Sequence, residues 1–73
     1  MEDKINYWKD WIGLGSEWLT VDFKPIAIMV TDIVYCSDTD SIEVEYISED
    51  NPHSINFSSV AEFVDGRFIR NYR

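Results

Sequence analysis

The sequence has no lysine and no arginine between Lys24 and Arg67. The 42 residues of this segment (25–66) carry nine carboxylates instead: Asp32, Asp38, Asp40, Glu43, Glu45, Glu49, Asp50, Glu62 and Asp65. Three of the six basic residues, Arg67, Arg70 and Arg73, stand in the last seven positions. Because protein surfaces usually intersperse both signs, we expect the folded chain to present an acidic surface. Such a surface attracts basic partners and repels nucleic acid and anionic membranes.

Other absences narrow the class of protein. The single cysteine, Cys36, excludes a disulfide within the chain. The sequence also lacks the cluster of cysteines and histidines that would predict a zinc site. The longest aliphatic run (26–30) is far below the ~20 residues of a membrane span, and we see no basic and apolar leader of a signal peptide. We therefore expect a cytoplasmic protein that spans no membrane and has no cofactor or metal.

Aromatic residues, in contrast, are abundant. Three Trp, four Tyr and four Phe make up 15% of the 73 residues, and an enclosed ring buries about 150–250 Å². They are enough for one compact core, although a chain of this length is marginal without a dense one. We expect a single domain over residues 1–73, made of a tryptophan-rich N-terminal segment (1–14) and a β domain (15–73).

The N-terminal segment has helical spacing. Ile5, Trp8 and Ile12 are three and four residues apart, and a second pair is Tyr7 and Trp11. This spacing favours a short amphipathic helix over residues 4–12 that ends before two glycines. The alternative is an irregular arm whose tryptophans cover the core.

From residue 18 onward the period changes to two. A first strand (18–23) places three apolar residues on one face, which are Leu19, Val21 and Phe23. The next segment (26–35) is apolar at nearly every position, which is typical of a central strand covered on both faces. A later short strand (54–57) is predicted to turn Ile55 and Phe57 inward.

The clearest strand lies between these segments. In residues 42–46 apolar side chains alternate with glutamates, in the order Ile42, Glu43, Val44, Glu45, Tyr46. This alternation predicts a strand with one buried face. Turns are predicted at 37–41 and 49–52, because serine, aspartate and asparagine side chains bond their own backbone there.

The segment before the last strand allows two interpretations. Ser59 and Glu62 have the spacing of a helix capping box, with Gly66 as the residue that closes the helix. Residues 64–67 also fit a two-residue hairpin. We favour the helical turn, because the hairpin would oppose Glu62 and Ile69 on one face. The last strand then alternates around Ile69, with Phe68, Arg70 and Tyr72 on the other face.

These elements predict a mainly β fold. The connections are too short for parallel crossovers, so four or five strands must form an antiparallel sheet. We expect a small, strongly bent sheet or a small barrel, since closure into a barrel hides the strand edges. A short N-terminal helix or arm precedes it, and a helical turn precedes the last strand.

A known group of proteins shares this pattern. Residues 15–18 (Gly-Ser-Glu-Trp), a valine-rich strand, the strand at 42–46, Phe63 and Phe68 together resemble the small SH3-like (tudor-like) barrels encoded by phages and prophages. The resemblance covers about residues 13–72 and implies an SH3-like fold and a mobile-element origin, with the host cytoplasm as location. The chain departs from the group in its tryptophan-rich N-terminal segment and in lacking a glycine between the first two strands. The resemblance therefore implies no functional residue.

The residues give no basis for catalysis. His53 and Cys36 stand in different predicted turns, whereas a nucleophile and its base must lie within hydrogen-bond reach. Asp38 and Asp40 are spaced like the start of a calcium loop, but Ile42 occupies a ligand position and no glycine follows. Motifs for phosphate loops and activated serines are absent. We predict that the protein is not an enzyme.

Two alternative functions follow from other features. Four aromatic rings at the mouth of a barrel would form a cage for a methylated ammonium, assisted by Glu43 or Asp32. The rings are those of Trp18, Tyr35, Tyr46 and Phe57. That arrangement would make a tudor-like peptide reader, unless the rings simply form the core. A structural or assembly protein that pairs through an open strand edge is the other alternative.

The acidic stretch gives the leading prediction, against the alternative that it is only a solvated face. Glu43 and Glu45 fall on one side of a strand about 6.7 Å apart. Carboxylates of the two flanking turns extend this row; they are Asp38, Asp40, Glu49 and Asp50. Trp8 and Trp11 exceed what a small core needs and would supply an apolar anchor. We predict a binding protein that engages the basic surface of a nucleic-acid-binding host or defence protein, as an inhibitor that resembles DNA and does not bind nucleic acid directly.

Overall fold

The computed structural model describes residues 2–71, except for the side chain of Glu2. Two helices and five strands follow one another in the order α1 (Glu2–Ile12), β1 (Glu17–Thr20), β2 (Ala27–Cys36), β3 (Ser41–Ser48), β4 (Asn51–Ser59), α2 (Val60–Val64) and β5 (Phe68–Arg70). The predicted mainly β fold, with an N-terminal helix and a short helix before the last strand, is confirmed.

All five strands belong to one bent antiparallel sheet in the order β4-β3-β2-β1-β5. Strands β4 and β5 are its two edges, and no pairing joins them within residues 2–71. The sheet is therefore unclosed, and the open-sheet form of the prediction is the one that the structure has.

Strand β2 lies in the middle of the sheet and contains a bulge. Val30 pairs with Tyr46 and Asp32 with Glu45, so Thr31 is an extra residue without a partner in the ladder. A bulge shifts the alternation of side chains by one residue. Consequently Val30 and Ile33, an even and an odd position, are both buried on the same face.

The prediction that β2 is covered on both faces is wrong. Met29 and Thr31 are exposed between the buried residues Ile28, Val30 and Ile33. Only one face of the sheet is covered, by α1 and α2. Residues 2–71 form no further element that could cover the other face.

The core lies on the covered face of the sheet. Its buried members are Ile12, Trp18, Ile28, Val30, Ile33, Val44, Phe63 and Phe68. The rings of Phe63 and Phe68 stack at 4.4 Å, and Trp18 meets Phe63 edge-on at 5.0 Å. The indole N–H of Trp18 donates to Ser16 Oγ at 2.8 Å, so the buried polar atom of this ring is satisfied.

Helix α1 joins this core through one face, which confirms the helix rather than the arm. Ile12 is fully buried, and Ile5 and Trp8 pack against the core. The helix ends where Gly13 takes a φ of 85°, a conformation that favours glycine. Arg70 then donates from Nη1 to the carbonyl of Ile12 at 2.8 Å.

Helix α2 confirms the helical interpretation of its segment and excludes the hairpin. Ser59 is its N-cap residue, but its side chain forms no capping hydrogen bond, so the predicted capping box is incomplete. The C-terminal end agrees with the prediction. Gly66 has a φ of 85°, and the N–H of Arg67 bonds the carbonyl of Glu62 at 3.0 Å.

Strand β1 is shorter than predicted and buries the other face. It ends at Thr20, whose N–H bonds the carbonyl of Ile26 at 3.0 Å and closes a loop between β1 and β2. Val21 and Phe23 lie in that loop and are exposed, Phe23 completely. Trp18 takes the core position instead, because its ring fills the space beside Phe63.

The predicted inward orientation of Ile55 and Phe57 is also wrong. Phe57 pairs with Glu45, whose neighbour Val44 is fully buried, so Phe57 points away from the core. Both Ile55 and Phe57 are more than half exposed. In β5, Phe68 is buried and Ile69 is exposed, which agrees with the predicted alternation; the predicted position of Tyr72 lies outside the described residues.

Replacing Arg70 by Met tests the contact between the last strand and α1. The substitution removes the bond to the Ile12 carbonyl and the guanidinium that lies 5.4 Å from the centroid of the Trp18 ring. We expect the free energy of unfolding to fall by about 1–3 kcal/mol, measured by chemical denaturation.

The matched control is Arg67→Met, which removes the same charge from the same segment. Its guanidinium is exposed and lies 3.9 Å from Glu62, so we expect a loss below about 1 kcal/mol. Equal losses for the two variants would show that Arg70 does not stabilise the fold through these contacts.

Candidate functional site

The face of the sheet opposite the core, called the open face below, carries the central predicted residues. In β3 the buried Val44 lies between Glu43 and Glu45, so both glutamates point to the open face, as their alternation predicts. They stand about 6.7 Å apart, twice the rise per residue. Both are half-buried by neighbouring side chains of the same face.

The cross-strand partners of these glutamates are known from the register. Glu45 lies between Asp32 of β2 and Phe57 of β4, and Glu43 lies opposite Val34. The Thr31 hydroxyl donates to Glu45 Oε2 at 2.7 Å and restrains that carboxylate. Glu43 and Glu45 are therefore adjacent at the centre of the open face, next to the apolar side chains of Val34 and Phe57.

Asp32 is the carboxylate of this group that has a cationic neighbour. Its Oδ1 lies 3.9 Å from Nζ of Lys9 in α1 and also accepts the N–H of Ile33 at 2.8 Å. The other ion pair found within residues 3–71 joins Arg67 and Glu62. Neither pair involves Glu43 or Glu45.

The remaining predicted carboxylates lie in the turns at the two ends of β3. Asp38 and Asp40 belong to the turn before it, and Glu49 and Asp50 to the turn after it; all four are exposed. Asp40 accepts a hydrogen bond from Tyr35 Oη, and Asp50 accepts one from Ser48 Oγ at 2.6 Å. The carboxylates thus follow β3 from end to end, over its eight residues.

The structure does not bring the two predicted tryptophans to this row. Trp8 packs against the core, on the covered side of the sheet, and meets Trp11 edge-on at 5.7 Å. Trp11 is half exposed. It lies about 200° around the helix axis from Lys9, whose side chain contacts Asp32, so it faces away from that carboxylate.

The four rings of the alternative cage also lie apart. Trp18 is buried against Phe63, and Tyr46 meets Phe68 at 5.7 Å within the core side of the sheet. Phe57 lies on the opposite face, and Tyr35 stands near the end of β2, opposite Ile42. These rings therefore do not surround a common space.

The open face contains a shallow groove that the sequence pattern did not reveal. It is lined by Val34, Tyr35, Cys36, Glu43 and Phe57. The groove offers one carboxylate beside aliphatic and aromatic surface, which suits the stem and charged head of a lysine or arginine. The prediction missed it because Phe57 was assigned to the core.

A second depression lies at the other end of the open face. Met29 and Ile47 pair across β2 and β3 in its floor, and Glu17 and Glu49 border it. Apolar and acidic groups therefore occur together at both ends of the face. This combination fits a partner that presents basic residues among apolar ones.

Cys36 lies in the groove wall, and the adjacent turn lowers the pKa of its thiol. Hydrogen bonds from the Thr39 hydroxyl and from the backbone N–H groups of Thr39 and Asp38 lower the pKa of this thiol. The bond to Asp40 raises the pKa of the neighbouring Tyr35 hydroxyl. His53, in contrast, lies near the start of β4, at the opposite end of the sheet from Cys36.

Two further findings concern the described residues alone. Within residues 2–71 no three histidine, cysteine, aspartate or glutamate side chains are gathered as ligands for a metal ion. Neither α1 nor α2 has the length and apolar content needed to cross a membrane.

Thr39→Val tests the hydrogen bond that lowers the pKa of Cys36. The substitution removes the hydroxyl donor, so we expect the pKa of the thiol to rise and its alkylation by iodoacetamide to require a higher pH. The rate of alkylation as a function of pH measures this midpoint. Ser37→Ala, in the same turn, is the control and should leave the midpoint unchanged; an equal shift in both variants would contradict the assignment.

Comparison with known proteins adds no relative: no family model matches the chain, no curated protein is similar to it, and no solved structure matches its fold. The resemblance to phage-encoded SH3-like barrels therefore stays a prediction from the sequence pattern.

Proposed function

We propose that this protein is a non-enzymatic binding protein whose open face engages a basic surface of a nucleic-acid-binding protein. The observation that carries the proposal is the position of Glu43 and Glu45. They are adjacent on an uncovered sheet face, and no cationic side chain of residues 3–71 forms an ion pair with them.

The arrangement favours electrostatic recognition for a physical reason. A sheet holds its carboxylates at fixed intervals, so a partner's lysines and arginines meet them without ordering a flexible chain first. The net charge of −8 adds a long-range attraction that accelerates encounter with a cationic surface. Such surfaces normally hold phosphates, and the carboxylates would occupy the same side chains.

The inhibitor role belongs to the same proposal. A small acidic protein that covers a phosphate-binding surface blocks the enzyme that owns it, such as a nuclease of the host or of a defence system. The phage-like sequence pattern agrees with this role and with action in the host cytoplasm. The predicted contribution of Trp8 and Trp11 is not part of the proposal, because neither lies beside the carboxylate row.

Charge reversal at the row is the direct test. We expect the double variant E43K/E45K to associate about tenfold or more slowly with a captured partner, because it removes the attraction at the centre of the open face. Partners are captured from a nuclease-treated lysate of the cell of origin, and association is then measured with the purified partner at several salt concentrations. Duplex DNA should compete for the same partner.

The double variant D3K/D10K is the matched control. It changes the net charge by the same amount on exposed positions of α1. Asp3 lies near the helix N-terminus and Asp10 near its C-terminus, so the opposite effects on the helix dipole nearly cancel. If the two variants slow association equally, only net charge matters and the proposed site is wrong. E43Q/E45Q replaces the reversal if the circular dichroism of E43K/E45K shows a lost fold.

A further inference from the structure

We propose that the partner docks by adding an extended basic segment to the free edge of β4, with its lysine or arginine side chains lying over Phe57 toward Glu45 and Glu43. This inference rests on the proposed function and specifies how the open face is reached. The occupant of the β4 edge is a basic, extended segment of another protein.

The first argument is the free backbone edge of β4. The strand pairs with β3 on one side only, in regular register over residues 56–59, and residues 52–55 form an irregularity before that part. Alternate N–H and C=O groups therefore point to the other side, and among residues 2–71 no further strand bonds them. The Ser54 carbonyl accepts Asn56 Nδ2 at 3.3 Å, which leaves the stretch after it open.

The second argument is that the regular part of this edge, residues 56–59, carries no charged residue. Natural edge strands carry lysines or other charges that prevent pairing with another chain. The sequence of β4, NPHSINFSS, has no Lys, Arg, Asp or Glu, and both Pro52 and the irregular segment 52–55 lie before the regular part. Ile55 and Phe57 expose more than half of their surface beside the edge. The edge is thus suited to strand addition.

The third argument, from charge, selects the occupant. A second copy would pair neutral strands and add another net charge of −8, with no new charge pair. A basic strand would lie about 10 Å from β3, two strand spacings away. Its long side chains can cross β4 over the ring of Phe57, a favourable position for a cation, and Phe57 is the cross-strand neighbour of Glu45.

The spacing of the carboxylates then predicts the sequence of the segment. Side chains on one face of an added strand repeat every second residue, as Glu43 and Glu45 do. Basic residues at alternate positions would therefore meet both glutamates. One of them would enter the groove between Val34, Glu43 and Phe57. The recognised segment is extended and alternates basic with uncharged residues.

The test uses synthetic peptides as long as β4 that alternate lysine and threonine. One peptide carries methyl groups on the backbone nitrogens of its lysines, and another on those of its threonines. In an added strand, the backbone N–H groups of alternate residues point toward β4 and the others point away. Only the lysine N–H groups or only the threonine N–H groups therefore bond to β4. We expect one methylated peptide to bind about tenfold or more weakly than the parent, and the other to bind like the parent. Hydrogen exchange should slow at alternate amides of β4.

The remaining outcomes separate the two proposals. If both methylated peptides bind like the parent and E43K/E45K weakens all three, strand addition is wrong and the acidic face stands. If E43K/E45K weakens none, the proposed function is wrong. Exchange protection in β5 instead of β4 overturns the choice of edge. A dimer of the protein alone in sedimentation, dissociated by the parent peptide, would show that a second copy is the occupant.

Discussion

The guanidinium of Arg70 holds together the parts of this fold that are farthest apart in sequence. It lies over the ring of Trp18 in β1 and bonds the last carbonyl of α1 at Ile12. One side chain of the last strand thus closes the end of the first helix, where backbone carbonyls otherwise lack partners. The ring of Trp18 in turn rests on Phe63 of α2. Both helices are fixed to the same side of the sheet through this chain of contacts.

The one-sided placement of the helices determines where function can lie. The two helices cover one face of the five-stranded sheet, and no element of residues 2–71 covers the other. Carboxylates on such a face stay hydrated and so cost little free energy. They also keep the apolar side chains of the face, Met29, Ile47 and Phe57, from promoting aggregation. The same side chains that make the face soluble also give it a strong electrostatic preference.

Much of the fold followed from local patterns. The spacing of Ile5, Trp8 and Ile12 identified α1, and the alternation in β3 placed Glu43 and Glu45 on one face. The pattern of Ile55 and Phe57 showed that they share a face but not which one, because this depends on the register between β4 and β3. The docking of α1, which separates Trp8 from the glutamates, is a tertiary contact with no local signature. The groove beside Phe57 depends on the register between β4 and β3, so the sequence pattern could not reveal it.

The bulge at Thr31 divides β2 into parts that respond differently to a change in length. Because one unpaired residue shifts the alternation, the buried set spans both even and odd positions. Deleting Thr31 itself would leave Ile33 opposite Val44 and make the strand regular, whereas deleting a residue from the regular part that follows would carry every later side chain of β2 to the opposite face. The length of β2 after the bulge is therefore under tighter constraint than its length at the bulge, and insertions or deletions should be rarer there than at Thr31.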